Sequence, residues 1–382
     1  MKIGVVTYWH GNSNYGMIMQ CWALQHKLKE MGHEPYVIRF DPERPKHIRF
    51  AKKVIDMFKR VVSKGYRVEA RSNDKRDLYN TEKDKLRAFD AFRERHLHFS
   101  ERYYRYASEL IKYPPLADCY VAGSDQIWCM DLSIDGNAKG MFLAFGDNNI
   151  RRVAYAPSFG RTTYNKENEN YLKEALSRFN SISCREMVGV VLCRSLGFKA
   201  QKVVDPTMLL YARDYEPLCE SVAYKDYVFI YSVNMSSAED MYWSTFKEII
   251  CGKKVVVTPA SGSIAGGELF GEDVAYDYAT PGRWLSLIKN SDIVVTSSFH
   301  GIVFSIIFNK KFAFVPIKGA FAATNNRITD LLANVGLKDL MVNKPEDYAR
   351  IMSKEIDWNR VNEKKTDLVN SSIEYLEKAL TD

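Results

Sequence analysis

Short apolar runs alternate with amphipathic segments along most of the chain. Lys2 to Tyr8 reads as a buried strand, and after a polar loop Ile18, Cys21, Trp22, Gln25 and Leu28 keep the three-to-four spacing of one helix face, with Gly32 as its stop. Pro35 to Phe40 supplies a second strand that ends at the Asp41-Pro42 turn. Further strand-length runs follow at Cys119 to Ala122, Val153 to Ala156, around Ile182, Val203 to Val204, Tyr227 to Val233, Lys254 to Thr258, Ile293 to Thr296 and Phe312 to Val315, with helical patterns between many of them. This alternation predicts an α/β fold of parallel sheets wound by helices, whose ligands bind beyond the carboxyl ends of the strands.

At 382 residues the chain exceeds one ordinary core, and the pattern restarts with a fresh strand after Tyr211 to Asp226. The expected organisation is a Rossmann-like domain over residues 1–215, carrying a basic helical insert at 43–113, and a second Rossmann-like domain over 226–350. A charged amphipathic helix within 355–382 ends the chain, and crossing back onto the first domain is one place for it. There is no internal repeat and no low-complexity segment.

Hydrophobic residues at 46% and charged residues at 26% fit an ordinary globular protein. The opening MKIGVVTYW lacks a basic segment followed by a long apolar stretch, and no later run reaches the length of a spanning helix, so a cytoplasmic protein is expected. Seven cysteines without a CxxC pair point to free thiols in a reducing compartment. The net charge of +7 is local: residues 43–76 hold twelve Lys/Arg against four Asp/Glu. Phe50, Val54, Phe58 and Val61 recur there at helical spacing. The segment is therefore either a solvated helix packed on its own domain or a peripheral contact with an anionic membrane surface at the inner face.

Polar clusters follow several strands. In the loop His10-Gly-Asn-Ser-Asn-Tyr-Gly16, Asn12, Asn14, Tyr15 and Gly16 are candidates to hold a phosphate or sugar hydroxyls at a helix N-terminus, against a plain turn. In Gly123-Ser-Asp-Gln-Ile-Trp128, Ser124, Asp125 and Gln126 can hold hydroxyls and Trp128 can face a sugar ring, against simple helix capping by Ser124 or Asp125. Arg185, in Ser183-Cys-Arg-Glu186, offers a planar fork for a carboxylate or phosphate, unless it only pairs with Glu186. Thr296-Ser-Ser-Phe-His-Gly301 runs from a strand into an apolar helix and places Ser297, Ser298, His300 and Gly301 at the sheet edge, where His300 can give and recover a proton. Arg327 opens a last helix as a second anion clamp or a surface residue. No phosphate-binding GxxxxGK[ST] loop, HExxH, cysteine-histidine zinc spacing or GxSxG elbow occurs, which removes support for ATPase, zinc-enzyme and α/β-hydrolase chemistry.

Taken together and in this order, the Gly-Asn loop, Gly-Ser-Asp-Gln-Ile-Trp, Ser-Cys-Arg-Glu, Asp205-Pro206-Thr207 and Ser-Ser-Phe-His-Gly resemble the polysaccharide pyruvyl transferase family over roughly residues 3–340. The resemblance implies a GT-B-like architecture with the active site in the interdomain cleft, the first domain on the acceptor side and the second on the donor side. It implies phosphoenolpyruvate as donor substrate, no further cofactor and no metal, and a hexose-containing glycan, free or lipid-linked, as acceptor. The product is a pyruvate ketal across two hydroxyls. Arg185 matches the family's donor arginine and His300 the histidine of its Arg-x-His motif, whose arginine position holds Ser298. On this reading His300 is the acid, Asp125 orients or deprotonates the acceptor, and Arg185, Ser297, Ser298, Gly301 and Arg327 hold the donor. No nucleic-acid partner is implied. A nucleotide-sugar glycosyltransferase and a glycan-binding or assembly protein without catalysis remain the alternatives, the second because of Ser298.

Overall fold

The computed structural model describes residues 1–11, 13–42, 82–83, 85–129, 136–160, 163–235, 237–260 and 269–381. Its first sheet has seven parallel strands: β1 (Lys2–Val6), β2 (Glu34–Phe40), β3 (Phe99–Tyr104), β4 (Cys119–Ala122), β5 (Arg151–Ala154), β6 (Ser181–Cys184) and β7 (Gln201–Lys202). They lie in the order β3-β2-β1-β4-β5-β6-β7. The second sheet has β8 (Tyr227–Tyr231), β9 (Lys254–Val257), β10 (Ala275–Tyr276), β11 (Ile293–Thr296) and β12 (Phe312–Phe314). Its order is β10-β9-β8-β11-β12, again parallel throughout. In each sheet the winding reverses beside the first strand, between β1 and β4 and between β8 and β11. Such reversals open a crevice at the carboxyl ends of the strands.

The central strands explain the near-continuous apolar runs. Every residue of β4, β8 and β11 is buried, as parallel strands covered by helices on both faces require. The longer helices are α1 (Tyr15–Glu30), α2 (Phe89–His96), α3 (Ala107–Lys112), α4 (Lys166–Leu176), α5 (Met187–Ser195), α6 (Trp243–Ile249), α7 (Pro281–Asn290), α8 (Phe299–Ile307), α9 (Asn325–Val335), α10 (Asp347–Ser353) and α11 (Trp358–Thr381). Local chemistry sets their ends. Asn14 accepts from the Met17 N–H at 3.0 Å to start α1, Thr280 and Pro281 start α7, and Gly336 at φ 77° ends α9.

One expectation is corrected in this region. Residues 99–104, assigned from sequence to a helical insert, form the edge strand β3, with Ser100 and Tyr104 turned inward. The Ser100 hydroxyl accepts from the Arg39 N–H of β2 at 3.0 Å, a pairing contributed from 61 positions away that helical periodicity cannot reveal. The basic residues 43–76 lie outside the described residues.

An apolar core fixes how the two domains meet. Tyr15 of α1 stacks on Trp284 of α7 with ring centroids 5.1 Å apart and 10° between planes. Trp22 of α1 meets Tyr215 at 5.3 Å, and Tyr215 meets Phe304 of α8 at 4.9 Å. Helix α11, far down the chain, lies against the first sheet: Ser372 accepts from the Val204 N–H at 3.0 Å and Tyr375 donates to the Ala154 carbonyl at 2.9 Å. No described helix is long and apolar enough to cross a membrane.

Candidate active site

The segments that follow β1, β4, β6, β7, β11 and β12 meet one another. At the centre is Asp205, which the sequence marks only through the Asp205-Pro206-Thr207 motif and not as a site residue. Asp205, three residues beyond β7, has a fully buried carboxylate. One of its oxygens, Oδ2, accepts from Arg185 Nη1 at 2.8 Å and from Ser124 Oγ at 3.0 Å. The same oxygen lies 3.6 Å from Nε2 of His300. The other oxygen, Oδ1, accepts from the Thr207 N–H at 3.0 Å and the Thr207 hydroxyl at 2.7 Å.

Burial alone works against the Asp205 charge, but His300, Arg185 and Thr207 outweigh it and hold the carboxyl well below the usual carboxylate range. Burial likewise opposes the Arg185 charge. The carboxylates of Glu186, Asp205 and Asp125 overcome it and push the guanidinium still higher. Arg185 directs Nε to Glu186 at 3.1 Å, and its Nη2 lies 3.9 Å from Asp125, beyond hydrogen-bond length.

Arg327, in the first turn of α9, completes the cationic wall. Its guanidinium lies 5.2 Å from the centre of the Phe299 ring, and that of Arg185 lies 5.1 Å from the same centre. Burial first, and then the neighbouring Arg185, lower the Arg327 pKa below the ordinary arginine value. Arg185 Nη2, Arg327 Nε and His300 Nε2 are all buried without a hydrogen-bond partner among the described residues. Leaving such groups unpaired costs about 1–3 kcal/mol each, more for charged groups. Two guanidiniums with unsatisfied N–H groups beside an imidazole make a site for a small anion.

Gly16 belongs to this arrangement through shape. A Cβ there would lie 1.9 Å from His300 Nδ1, so only glycine lets the first turn of α1 pack against the ring. Asp125 sits on the rim with φ 72°, a left-handed conformation that aspartate tolerates better than most residues. Its carbonyl accepts from the Ser158 N–H at 2.9 Å, and its side chain accepts from the Gln126 N–H at 2.8 Å. Gln126 is half-buried beside it.

Several expected ligand-binding residues prove to be structural. Trp128, expected to face a sugar, is fully buried: it stacks on Phe142 at 4.9 Å, touches Phe159 and Phe179, and donates to the Met141 carbonyl at 3.2 Å. Tyr15 is equally buried, its hydroxyl donating to the Ala279 carbonyl and accepting from Arg87 Nη1, each at 2.6 Å. Asn14 spends its side chain on the cap of α1. Ser297 is tied to the Val233 backbone, accepting at 2.8 Å and donating at 2.9 Å. Ser298 caps α8 through the Gly301 N–H. Gly301 is needed for close packing, since a Cβ would sit 2.5 Å from Thr296 Oγ1. Ser124 supports Asp205 rather than facing the cleft, and Asn12 lies outside the described residues.

A cavity of about 1250 Å³ lies elsewhere, at the amino-terminal ends of β1, β2 and β3, lined by residues that include His26, His33, His96, His98 and Arg102. None of the residues around Asp205 lines it. Doubly wound sheets place ligands at the opposite, carboxyl ends of their strands.

Comparison with known proteins follows the same lines. The family model described as polysaccharide pyruvyl transferase matches residues 14–319. Among curated proteins none matches the chain. Of solved structures, a UDP-GlcNAc 2-epimerase from Methanocaldococcus jannaschii is similar with a TM-score of 0.53 at 12% identity, over 98% of this chain and 100% of that one. The epimerase of the same organism in complex with UDP-GlcNAc and UDP gives 0.51 at 10% identity, over 98% and 100%. At that identity the likeness is one of fold, the GT-B type with two Rossmann-like domains. The family match spans most of the length and takes in Asp125, Arg185, Asp205 and His300, and the chain belongs to the polysaccharide pyruvyl transferase family, transferases that act on polysaccharide.

Proposed function

We propose that the protein transfers the pyruvyl group of phosphoenolpyruvate to two hydroxyls of a hexose in a glycan, forming a cyclic ketal and releasing phosphate. The observation that carries this reading is the meeting of three unpartnered buried nitrogens, Arg185 Nη2, Arg327 Nε and His300 Nε2, contributed by both domains. Phosphoenolpyruvate brings a carboxylate and a phosphate, and two guanidiniums within 5.2 Å of the centre of one Phe299 ring suit such a pair of anionic groups.

The chemistry asks for one acid near those cations. A proton from His300 Nε2 to the methylene carbon makes a methyl group and an oxocarbenium-like centre at the neighbouring carbon. One sugar hydroxyl adds to that carbon, the C–O bond to phosphate breaks, and the second hydroxyl closes the ring. Of the two hydroxyl protons released, one restores His300 and the other leaves with phosphate or by way of Asp125 on the rim. General acid–base help of this kind contributes about 10² to 10⁴ in rate.

Ser298 in place of the family arginine does not empty the site of positive charge, because Arg327 reaches the same Phe299 ring from α9. That contact favours a working transferase over a protein that binds glycan without catalysis. Titration calorimetry tests the donor assignment. Phosphoenolpyruvate should bind wild type and lose about 10-fold or more in affinity in Arg185→Ala and in Arg327→Ala. Saturable binding of a nucleoside diphosphate sugar, with none of phosphoenolpyruvate, refutes it.

A further inference from the structure

We propose that the outer edge of the first sheet, strand β3 with helix α3 and the segment that follows it, is a docking surface for an anionic lipid bilayer. Among the described residues eleven large apolar or aromatic side chains are exposed, and five of them, Tyr103, Tyr106, Ile111, Tyr113 and Leu116, fall within fourteen consecutive positions. Leu116 is 82% exposed. Folded proteins scatter such side chains singly over their surface, and a cluster of them marks a place of interaction.

The fold gathers these residues and sets cations among them. The Tyr104 hydroxyl donates to the Tyr113 carbonyl at 2.9 Å, which brings the segment after α3 back against β3. The Arg102 guanidinium lies 4.0 Å from the centre of the Tyr113 ring and Lys112 Nζ lies 5.1 Å from the same centre, while Arg105 lies 5.8 Å from that of Tyr103. The neighbouring Glu109 is engaged at the start of α3, where it accepts from the Arg105 and Tyr106 N–H groups at 2.7 and 3.1 Å. At a bilayer surface tyrosine rests at the level of the headgroups, isoleucine and leucine reach below it, and arginine and lysine extend to the phosphates.

Charge selects the bilayer over other occupants. The Tyr103 hydroxyl donates to Asp41 at 2.6 Å, and two positions after Asp41 the chain enters residues 43–76, with twelve Lys/Arg against four Asp/Glu. Two residues span at most about 7 Å, so this basic stretch begins beside the patch. An anionic surface attracts each of those charges, and the apolar side chains add to the hold once they arrive. A second copy of the chain carries the same positive excess, and Glu101 and Arg102 on β3 oppose edge-to-edge pairing of two strands. A neutral glycan gains nothing from the basic stretch. The proposal stands apart from the transfer reaction, and its test needs neither donor nor acceptor.

Co-sedimentation of the full chain with lipid vesicles is the test. Vesicles of phosphatidylcholine with about 30% phosphatidylglycerol should retain wild type, vesicles of phosphatidylcholine alone should not, and retention should fall as salt rises from about 0.1 to about 0.5 M. Ile111→Ser combined with Leu116→Ser should lower the partition coefficient about 10-fold or more, and Arg102→Gln combined with Lys112→Gln about as much. All four positions are exposed, so both variants should melt within about 2 °C of wild type, and either one that folds suffices. Wild type that ignores anionic vesicles overturns the proposal. So do variants that bind them as well as wild type does, since the binding then needs only residues outside the patch. Serine substitutions that dissociate a wild-type dimer in sedimentation velocity, with no vesicle binding, give the patch to a second copy. Substitutions that abolish glycan binding, again with no vesicle binding, give it to the acceptor, and either result overturns the bilayer.

Discussion

Replacing Gly16 by alanine puts a methyl carbon where the His300 ring already lies. The added Cβ would be 1.9 Å from Nδ1, 2.4 Å from Cγ and 2.7 Å from Cε1. Carbon and nitrogen atoms normally rest roughly 3.4–4.0 Å apart, so the ring has to retreat by about 1.5 Å or more. Helices α1 and α8 are both embedded in the interdomain core, and the easiest relief is rotation of the imidazole away from Asp205. Overpacking of this kind costs about 1–3 kcal/mol. The gain in helix propensity from glycine to alanine returns about 0.5–1 kcal/mol. Net destabilisation is then about 0–2.5 kcal/mol, a drop in melting temperature of at most about 10 °C for domains of this size. The catalytic cost is larger, since an error of about 1 Å in a reacting group can lose about 10² in rate. Acceptor-dependent phosphate release together with a thermal melt reads both effects. A Gly16→Ala protein that keeps turnover within threefold of wild type refutes the placement of His300 as the acid.

Other substitutions separate structural residues from functional ones. Trp128→Ala should cost about 3–5 kcal/mol in urea denaturation through loss of the ring packed on Phe142, whereas Trp128→Phe should leave the acceptor KM within about twofold. A selective rise in acceptor KM in Trp128→Phe would restore the sugar-facing role. Tyr15→Phe should lose about 1–3 kcal/mol by removing the hydroxyl that joins Arg87 to the Ala279 carbonyl, measured by the same denaturation. The Asp205 carboxyl is held low in the folded protein, so its ionic contribution is present in full above the unfolded carboxylate pKa of about 3.9 and fades as pH falls through the folded value. The stability difference between wild type and Asp205→Asn should therefore shrink as the pH falls below about 4. A difference that grows on acidification contradicts the ion pairing at Asp205.

The alternation of β4, β8 and β11 with helices was legible in the sequence because parallel strands buried on both faces leave runs such as YVFIY and IVVT. Strand β3 escaped that reading because FSERYY has three consecutive exposed residues, and Ser100 is held by a partner on β2 rather than by its own apolarity. Arg185 and His300 could be found because each follows an apolar strand end. The role of Asp205, quoted only as part of the Asp205-Pro206-Thr207 motif, was hidden for the opposite reason. Its local setting, Asp-Pro-Thr, is that of an ordinary turn, while its importance comes from Ser124, Arg185 and His300, lying 81, 20 and 95 positions away. Trp128 misled because an indole after Ser-Asp-Gln-Ile suits a sugar site and a core equally well, and only its stacking on Phe142 decides between them. Tyr15 and Gly16 are adjacent in the loop motif yet part company, one entering the interdomain core and the other making room for His300.

The central claim is pyruvyl transfer at the cleft, and the most direct measurement is phosphate release from phosphoenolpyruvate across a panel of galactosides and mannosamine derivatives, with Arg185→Ala and His300→Ala alongside wild type. The account predicts release that depends on one class of acceptor and falls by about 10² or more in both variants. Wild type that releases no phosphate with any acceptor while binding glycan, or release that survives both substitutions, contradicts it.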